Sequence, residues 1–421
     1  MTANVSLIAR RQVFYVEGYD PRGAEGYYDI FQRSWKRCRK VWHLEGRLAE
    51  LVLDSDLIAH WDMEATGANW RVATRYEFLR LEGVIGANMA DPIWRQVMRA
   101  MAWMADDLVT GTTVRIFRAA WRFGLHLLYF QFLLVLWLAL AVAGGSLAAL
   151  AVMRVGSLPA LAAIAIGAGI GIGFFVLLRP LADWLQVVQI NSCWPYLREL
   201  ARGDASGFDA PIDAYAARIV AAAGASQADE IVVVGHSAAG VTACAVMARV
   251  LELDPDVGRR GPRIVLLTLG SVMPAAALHP DARSIRAAIA RLAAEPSLTW
   301  IDCVSRKDVM NFWDFDPVAG TGVEVGAQRC NPLTWQVRFK EVVSAEYYRR
   351  LRLSFFRLHY QFIMSGDRPS PYDFVMLVAG PVAVPQWARH PHQTAAAFGP
   401  DGAFAAAAPA EGVVSVAATS G

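Results

Sequence analysis

Two long apolar stretches constrain this chain more than any other feature of its sequence. Between residues 124 and 178 the only fully charged side chain is Arg154, and two apolar runs cover about 127–149 and 158–178. Each run is as long as the roughly 20 residues that a helix needs to cross the hydrocarbon core of a bilayer. Because the connection between them is short, we expect a two-helix transmembrane hairpin. A buried helical hairpin inside a soluble domain is the alternative.

The second run also carries glycines at a regular spacing. Gly167 and Gly171 form one small-xxx-small pair, and Gly169 and Gly173 form another. Such pairs let two helices approach closely. We therefore expect the two apolar helices to pack against each other.

Basic residues on the flanks predict the orientation of the hairpin. Arg115, Arg118 and Arg122 precede the first run and Arg179 follows the second, whereas the turn carries only Arg154. The positive-inside rule then places both termini in the cytoplasm. The first residues lack a basic region followed by an apolar core, so no secretory signal is expected. The predicted location is the inner (cytoplasmic) membrane, with two spans.

Composition limits the remaining classes. Hydrophobic residues make up 55% and charged residues 19% of the chain, against about 25% charged in a typical soluble protein, which excludes a disordered chain. The net charge of +2 is too small for a nucleic-acid-binding protein. The cysteines are widely spaced without a CxxC pattern, which indicates free thiols in a reducing compartment. We expect no metal and no cofactor.

The polar parts on either side of the apolar region define the domain plan. Residues 1–123 and 179–380 are expected to lie on the same side of the membrane and to form one domain. The hairpin, residues 124–178, then interrupts that domain. Residues 381–421 are rich in Ala, Pro and Gly and are expected to form a disordered tail.

Hydrophobic periodicity predicts an α/β fold. Short β-rich runs alternate with amphipathic helical runs, which is typical of a mainly parallel sheet with helices on both faces. The predicted strands are 12–16, 70–82, 231–234, 263–269 and 298–304, with a further candidate at 335–339. The predicted helices are 24–42, 92–108, 208–224, 238–251 and 282–294.

The sharpest chemical motif is VVVGHSAAG at 232–240. An apolar strand ends at Gly235, Ser237 follows, and a helix begins, which is the context of a nucleophile elbow. The small residues Gly235 and Ala239 satisfy the GxSxG pattern as GxSxA. The amide of Ala238 lies at the helix N-terminus, where an oxyanion would form. A strand–helix turn with a serine N-cap is the alternative.

Two neighbours of the serine have supporting roles in this interpretation. Gly240 is expected to relieve crowding at the turn, and His236 is expected to shape the elbow.

At these residues the chain resembles the α/β-hydrolase family, especially its lipase and esterase members, in which Gly-His-Ser at the elbow is frequent. The segment LTLGS at 267–271 also looks like the strand end of lipase-type members. Its layout is similar to that of uncharacterised bacterial membrane proteins with a hydrolase-like domain. The resemblance implies a serine nucleophile, then an acid, then a histidine along the chain.

That order implies Asp308 as the acid, because it follows the strand 298–304 in the loop where the family places its acid. Asp302 lies within that strand, whereas Asp314 and Asp316 lie further on and are reserves. A turn-forming role is the alternative for Asp308. Three histidines lie downstream, His359, His390 and His392. His359 is preferred because the other two lie in the predicted tail; a hydrogen-bonded core histidine is the alternative.

The second oxyanion donor is implied by the loop after the first strand, Glu17 to Pro21. Tyr19 is the candidate amide donor, since Pro21 has no N–H. The family often has His-Gly here, and Glu17 replaces the histidine.

The leading hypothesis is a membrane-anchored serine hydrolase that forms an acyl-enzyme on Ser237 at the cytoplasmic face. Its partners would be the lipid bilayer and a small-molecule or lipid acyl substrate. The second hypothesis is an inactive hydrolase-fold protein that serves as a binding or assembly module. A transporter is less well supported, because neither span contains an Asp, Glu or Lys.

Overall fold

A computed structural model describes residues 7–156, 158–204 and 207–405. Its strands form one sheet with helices on both faces, so the chain is a mixed α/β protein, as predicted. The strands are β1 (Arg10–Val16), β2 (Glu45–Leu48), β3 (Val52–Leu53), β4 (Ile58–Thr66), β5 (Arg71–Leu79), β6 (Glu230–His236), β7 (Arg263–Leu269), β8 (Leu298–Val304) and β9 (Leu333–Gln336).

The helices before the strand β6 include the two apolar ones. They are α1 (Gly23–Val41), α2 (Glu82–Ala90), α3 (Ile93–Val109), α4 (Thr112–Ala119), α5 (Trp121–Val155), α6 (Ala160–Trp184), α7 (Val187–Arg202) and α8 (Asp209–Ala225). Those that follow are α9 (Ala239–Leu253), α10 (Met273–Ala277), α11 (Arg283–Ala294), α12 (Phe339–Val342), α13 (Ala345–Leu351), α14 (Phe355–Tyr360), α15 (Phe374–Ala379), α16 (Val384–Arg389) and α17 (Pro391–Ala396).

The strand order is β2-β4-β5-β1-β6-β7-β8-β9, and β3 pairs with β4. Six neighbouring strands, β5 to β9 along this order, are parallel, while β2 and β3 pair with β4 and β4 with β5 in antiparallel fashion. Sequence periodicity predicted the parallel strands but missed β2, β3 and β4. Their polar, partly exposed residues weaken the pattern that marks a buried strand.

The core lies on both faces of the sheet because the strands of its centre are buried on both sides. In β6, Val233 packs with α8, α9 and α11 on one face, while Val232 and Val234 pack with α1, α15 and α16 on the other. All seven residues of β6 are buried. A continuous apolar strand is the expected sequence for a parallel strand covered by helices.

The parallel register aligns the ends of the central strands. Val16 of β1 pairs with Gly235 of β6, and Leu269 of β7 pairs with His236 of β6 and Cys303 of β8. The loops that follow these four strands therefore emerge at one edge of the sheet.

The apolar helices α5 and α6 are long and apolar enough to cross a membrane. They pack against each other in antiparallel fashion, since Trp137 stacks on Phe175 at 4.3 Å and Gly145 abuts Gly167. A Cβ at Gly145 would lie 2.7 Å from the Gly167 carbonyl oxygen. Both helices extend beyond the predicted hairpin boundaries of 124 and 178.

Only one of the two glycine pairs serves this contact. Gly167 and Gly171 face α5, whereas a Cβ at Gly169 or Gly173 would meet nothing within 4 Å. The expectation that both pairs mediate close approach is therefore wrong for the second pair.

The expectation of a disordered tail from residue 381 is wrong for residues 381–405, which form α16, α17 and a packed end; residues 406–421 lie outside the described residues. Arg11 explains part of this order, because its buried guanidinium donates to Glu230 (2.9 Å) and to the carbonyls of Gly380 and Val382 (2.7 and 2.9 Å). The many small residues of this segment suggested disorder. The segment also contains a few large side chains that pack into the core, notably Trp387, which is fully buried.

Replacing Trp387 tests the packing of the C-terminal segment. Trp387→Ala is expected to lower the free energy of unfolding by about 3–5 kcal/mol, as for other buried aromatic residues. The exposed neighbour change Arg389→Ala is the matched control and should stay within about 0.5 kcal/mol of the parent. Equal effects of the two changes in denaturant titrations would contradict the packing described.

Candidate active site

Ser237 occupies the tight turn between β6 and α9. Its φ is 57°, in the left-handed region that an L side chain adopts only at a cost of about 1–3 kcal/mol. The turn is held by hydrogen bonds from the Ser237 amide to the Leu269 carbonyl (2.9 Å) and from the Gly240 amide to the Ser237 carbonyl (3.1 Å). The surrounding backbone therefore imposes a strained conformation on this half-buried serine.

Small residues make the turn possible. A Cβ at Gly235 would lie 2.7 Å from the Ala239 carbonyl oxygen, and one at Gly240 would lie 2.0 Å from the Ser271 hydroxyl. The methyl of Ala239 is accommodated in the core, where this residue is 1% exposed. Glycine is thus required at two positions, while alanine fits where the usual pattern has its second glycine.

Asp308 and His359 form a buried pair at the same edge of the sheet. Oδ2 of Asp308 lies 2.6 Å from Nδ1 of His359, and each residue is 2% exposed. The other carboxylate oxygen accepts from the Met310 amide at 2.9 Å. Since the carboxylate holds the proton on Nδ1, the second nitrogen, Nε2, is left as a base.

Asn311 braces the loop that carries the acid. Its side-chain amide donates to the carbonyls of Ser305 (3.0 Å) and Asp308 (2.9 Å). The acid is therefore held by a closed set of hydrogen bonds rather than by a free loop.

His359 lies against the elbow. Its ring centroid is 4.5 Å from that of His236, and a Cβ at Gly270 would lie 2.9 Å from its Cε1. His236 directly precedes the serine, and Gly270 directly follows the residue that accepts the Ser237 amide. The Nε2 atom of His359 is buried and makes no hydrogen bond with any described residue. In unliganded sites such catalytic hydrogen bonds are often long and tighten only with substrate.

His236 lies directly against His359. Its Nε2 lies 3.3 Å from the His359 carbonyl and must donate to it. Burial, and then the neighbouring His359, hold the pKa of His236 well below its usual value. A neutral His236 thus packs against the base without competing for its proton.

The loop after β1 contacts the elbow. A Cβ at Gly18 would lie 3.7 Å from both the Ala239 amide nitrogen and the His236 carbonyl oxygen. Within the described residues, the amides of Tyr19 and Ala238 donate no hydrogen bond. Two backbone donors are therefore left free where the loop meets the N-terminus of α9.

Glu17 has the place that the family resemblance assigns to a histidine. It is fully buried, and one of its oxygens accepts from the Leu81 amide while Oε1 has no partner among the described residues. Burial raises the pKa of Glu17 to about 8. The protonated, neutral carboxyl is therefore the more populated form at neutral pH.

The other candidate acids and histidines are engaged elsewhere. Asp302 accepts from Thr268 at 2.6 Å, and Asp316 pairs with Arg329 at 2.7 Å. His392 lies 3.6 Å from Glu341. No hydrogen bond joins Asp314 or His390 to the Asp308–His359 pair in the described part of the chain.

Sequence reasoning missed the contacts that join the segment of His359 to the loop after β1. Tyr360, beside His359, donates to the Asp20 carboxylate, and the guanidinium of Arg22 lies 4.6 Å from the Tyr360 ring centre. It also missed an aromatic contact of this loop, in which the ring centroids of Tyr19 and Tyr196 are 5.0 Å apart. Isolated aromatic and acidic residues carry no spacing signal that would have found these contacts.

A second cluster of titratable groups consists of residues outside the candidate site. Asp106, Asp107 and His279 are close enough to share a metal ion. However, the guanidinium of Arg198 contacts both carboxylates. These acids are therefore already paired with a protein cation.

No family model matches the chain, and no curated protein or solved structure matches it either.

The buried carboxyl of Glu17 predicts a pH dependence of stability. Its pKa is about 8 in the folded chain and near 4.5 in the unfolded one, so the folded state binds more protons between these values. Stability should therefore fall as pH rises from about 4.5 to about 8. Glu17→Gln keeps a neutral acceptor for Leu81 and should weaken this fall.

Thermal unfolding at about pH 5 and pH 8 measures the effect, with the exposed change Glu324→Gln as control. An unchanged pH dependence in Glu17→Gln would show that Glu17 is ionised in the folded chain.

Proposed function

We propose that this chain is a membrane-anchored serine hydrolase of the α/β-hydrolase type, which forms an acyl-enzyme on Ser237. The observation that carries the proposal is the buried Asp308–His359 hydrogen bond beside a serine held at positive φ. The Ser, Asp, His order along the chain and the strand–turn–helix setting of the serine support the family assignment. We propose ester or thioester hydrolysis.

In the proposed reaction, Nε2 of His359 takes the Ser237 proton while Oγ attacks the substrate carbonyl. The free amides of Tyr19 and Ala238 would bind the oxyanion, aided by the positive end of α9. His359 then protonates the leaving alcohol or thiol, and later activates the water that releases the acid. Asp308 stabilises the imidazolium formed in both steps.

The proposed location is the cytoplasmic membrane, with α5 and α6 as two spans and both termini in the cytoplasm. In their most apolar windows, only 22% and 11% of the residues of α5 and α6 are buried within the protein. A core hairpin in a soluble domain would instead be mostly buried. The basic residues Arg118 and Arg122 before the first span support the orientation.

A binding or assembly module on an inactive hydrolase scaffold is the second candidate. The absence of a hydrogen bond to His359 Nε2 among the described residues favours it, as does Glu17 in place of histidine.

A serine-directed fluorophosphonate probe separates the two candidates. We expect wild-type protein in detergent to be labelled and Ser237→Ala to be unlabelled. Asp308→Asn should slow labelling by at least about a hundredfold, because the wrong tautomer of His359 results. Asp316 is the control because it pairs with Arg329 instead of His359, so Asp316→Asn should be labelled at the wild-type rate. If folded wild-type protein is not labelled by the probe, the hydrolase function is contradicted and the scaffold role is favoured.

Gly270 supplies a steric test of the same site. Gly270→Ala places a methyl 2.9 Å from Cε1 of His359 and should slow labelling by about tenfold or more through displacement of the ring. Gly322→Ala is the matched control, because Gly322 also has a positive φ (76°) but open space around its Cβ position. Equal labelling rates in the two variants would place His359 outside the reaction.

A further inference from the structure

The helix α3 has an apolar face that is turned away from the protein. Five of its residues recur at a spacing of three or four, which places them on one side of a helix, and all five are exposed: Trp94, Met98, Ala102, Ala105 and Val109. Trp94 and Met98 are 59% and 62% exposed. A surface helix in water normally has polar residues on this side.

Polar residues of α3 lie instead on its protein side. The buried Gln96 side chain donates to the carbonyls of Met89 and Asp91 at 2.9 and 2.8 Å. The buried Asp107 contacts the guanidinium of Arg198. Both side chains therefore find their partners inside the protein, and the outer face of α3 is left without the polar surface that water favours.

The same helix packs against the first membrane-length helix. Val97 and Ala100 of α3 share one hydrophobic cluster with Leu134 and Trp137 of α5. After Leu134, the first charged residue of α5 is Arg154. A span of about 20 residues counted back from Arg154 begins near Leu134. If α5 crosses a membrane, α3 therefore packs on the crossing segment itself.

The outer surface beside α3 has the same apolar character. In α6, Ala182 belongs to this cluster, and its neighbour Leu181 is 53% exposed. At the edge of the apolar face of α3, the exposed guanidinium of Arg95 lies 5.2 Å from the Trp94 ring centre. Tryptophan and basic residues are typical of the level at which a protein meets lipid headgroups, and a positive charge there suits anionic lipids.

Resting on the membrane location proposed above, we infer that α3 is a third membrane-contacting helix, whose face with Trp94 and Met98 lies in the lipid interface beside the hairpin. Arg95 would reach the headgroups. Transfer of these exposed apolar side chains from water into lipid favours the placement. Lipid fits this face better than a second copy of the chain, because the face adjoins two helices that are long and apolar enough to cross a membrane.

This placement would fix the orientation of the α/β domain on the membrane. The hairpin alone is a single attachment, about which a domain can tilt. The helix α3 adds a second attachment, and its Trp103 ring stacks on that of Trp194 in α7 at 5.6 Å. Both rings belong to the same core as Tyr19. Lipid contact at Trp94 thus occurs on a helix that is packed into the domain of the candidate site.

Spin labels on introduced cysteines test the placement. Cys330, the exposed one of the five cysteines, is first replaced by Ser. The full chain with Met98→Cys is then labelled and placed in vesicles of equal parts phosphatidylcholine and phosphatidylglycerol. A label in lipid collides often with dissolved oxygen and rarely with a water-soluble nickel chelate. We expect the ratio of oxygen to nickel collisions at Met98→Cys to be several times that of a label in water.

Two variants at exposed apolar residues supply the reference values. Val142→Cys lies within the predicted first span, where the parent residue is 68% exposed, and should report lipid. Leu253→Cys lies at the end of α9 and should report water. The domain meets the hairpin at the opposite edge of the sheet, where the Phe123 ring packs at 4.7 Å on Phe312, in the loop that carries Asp308.

The outcomes separate α3 from the hairpin. A water value at Met98→Cys with a lipid value at Val142→Cys would overturn the inference about α3 and leave the hairpin in place. Few collisions with either reagent, together with a broadened spectrum, would place a second copy of the chain on this face and would also overturn it. A water value at Val142→Cys would contradict the membrane location itself. Trp94→Cys repeats the measurement if Met98→Cys does not fold.

Discussion

The hydrogen bond between Asp308 and His359 is the interaction on which the candidate site depends. It joins two segments 51 residues apart in sequence at 2.6 Å, with both side chains buried. An acid and a base placed there without each other would leave a buried polar group unpaired, at a cost of about 1–3 kcal/mol or more. The pair is thus stable as a unit, and the parallel sheet brings it to the edge where β6 ends in Ser237. The fold places Ser237, Asp308 and His359 at one edge of the sheet, and the Asp308–His359 pair would make the serine reactive.

The proposed membrane hairpin is integrated with that fold. Phe123 and Leu127 are core residues of the α/β domain, while the later turns of the same helix are exposed and apolar. One continuous helix therefore belongs to two environments, and the change occurs beside the loop of Asp308. If α5 crosses a membrane, the bilayer surface lies next to the candidate site.

The parallel strands and the strand–turn–helix setting of Ser237 could be predicted from local patterns, whereas the pairing of Asp308 with His359 was implied only by the family resemblance. Buried strands such as Ile231–Val234 have continuous apolar sequences, and the elbow has a fixed spacing of small residues. The antiparallel strands β2 to β4 could not, because half-exposed strands mix polar and apolar residues. The ordered structure of residues 381–405 could not be predicted either, because it depends on contacts with distant residues. One example is the hydrogen bond from Arg11 to the Val382 carbonyl. Tyr360 and Asp20 meet only through tertiary structure.

An experimental structure of the fluorophosphonate adduct would test the central claim most directly. The account predicts phosphorus bonded to Oγ of Ser237 and an adduct oxygen within about 3 Å of the Tyr19 and Ala238 amides. It also predicts His359 Nε2 at hydrogen-bond distance from the adduct, about 2.6–3.2 Å, with the Asp308 contact kept. An adduct on another residue, or His359 turned away from Ser237 and bonded elsewhere, would contradict it.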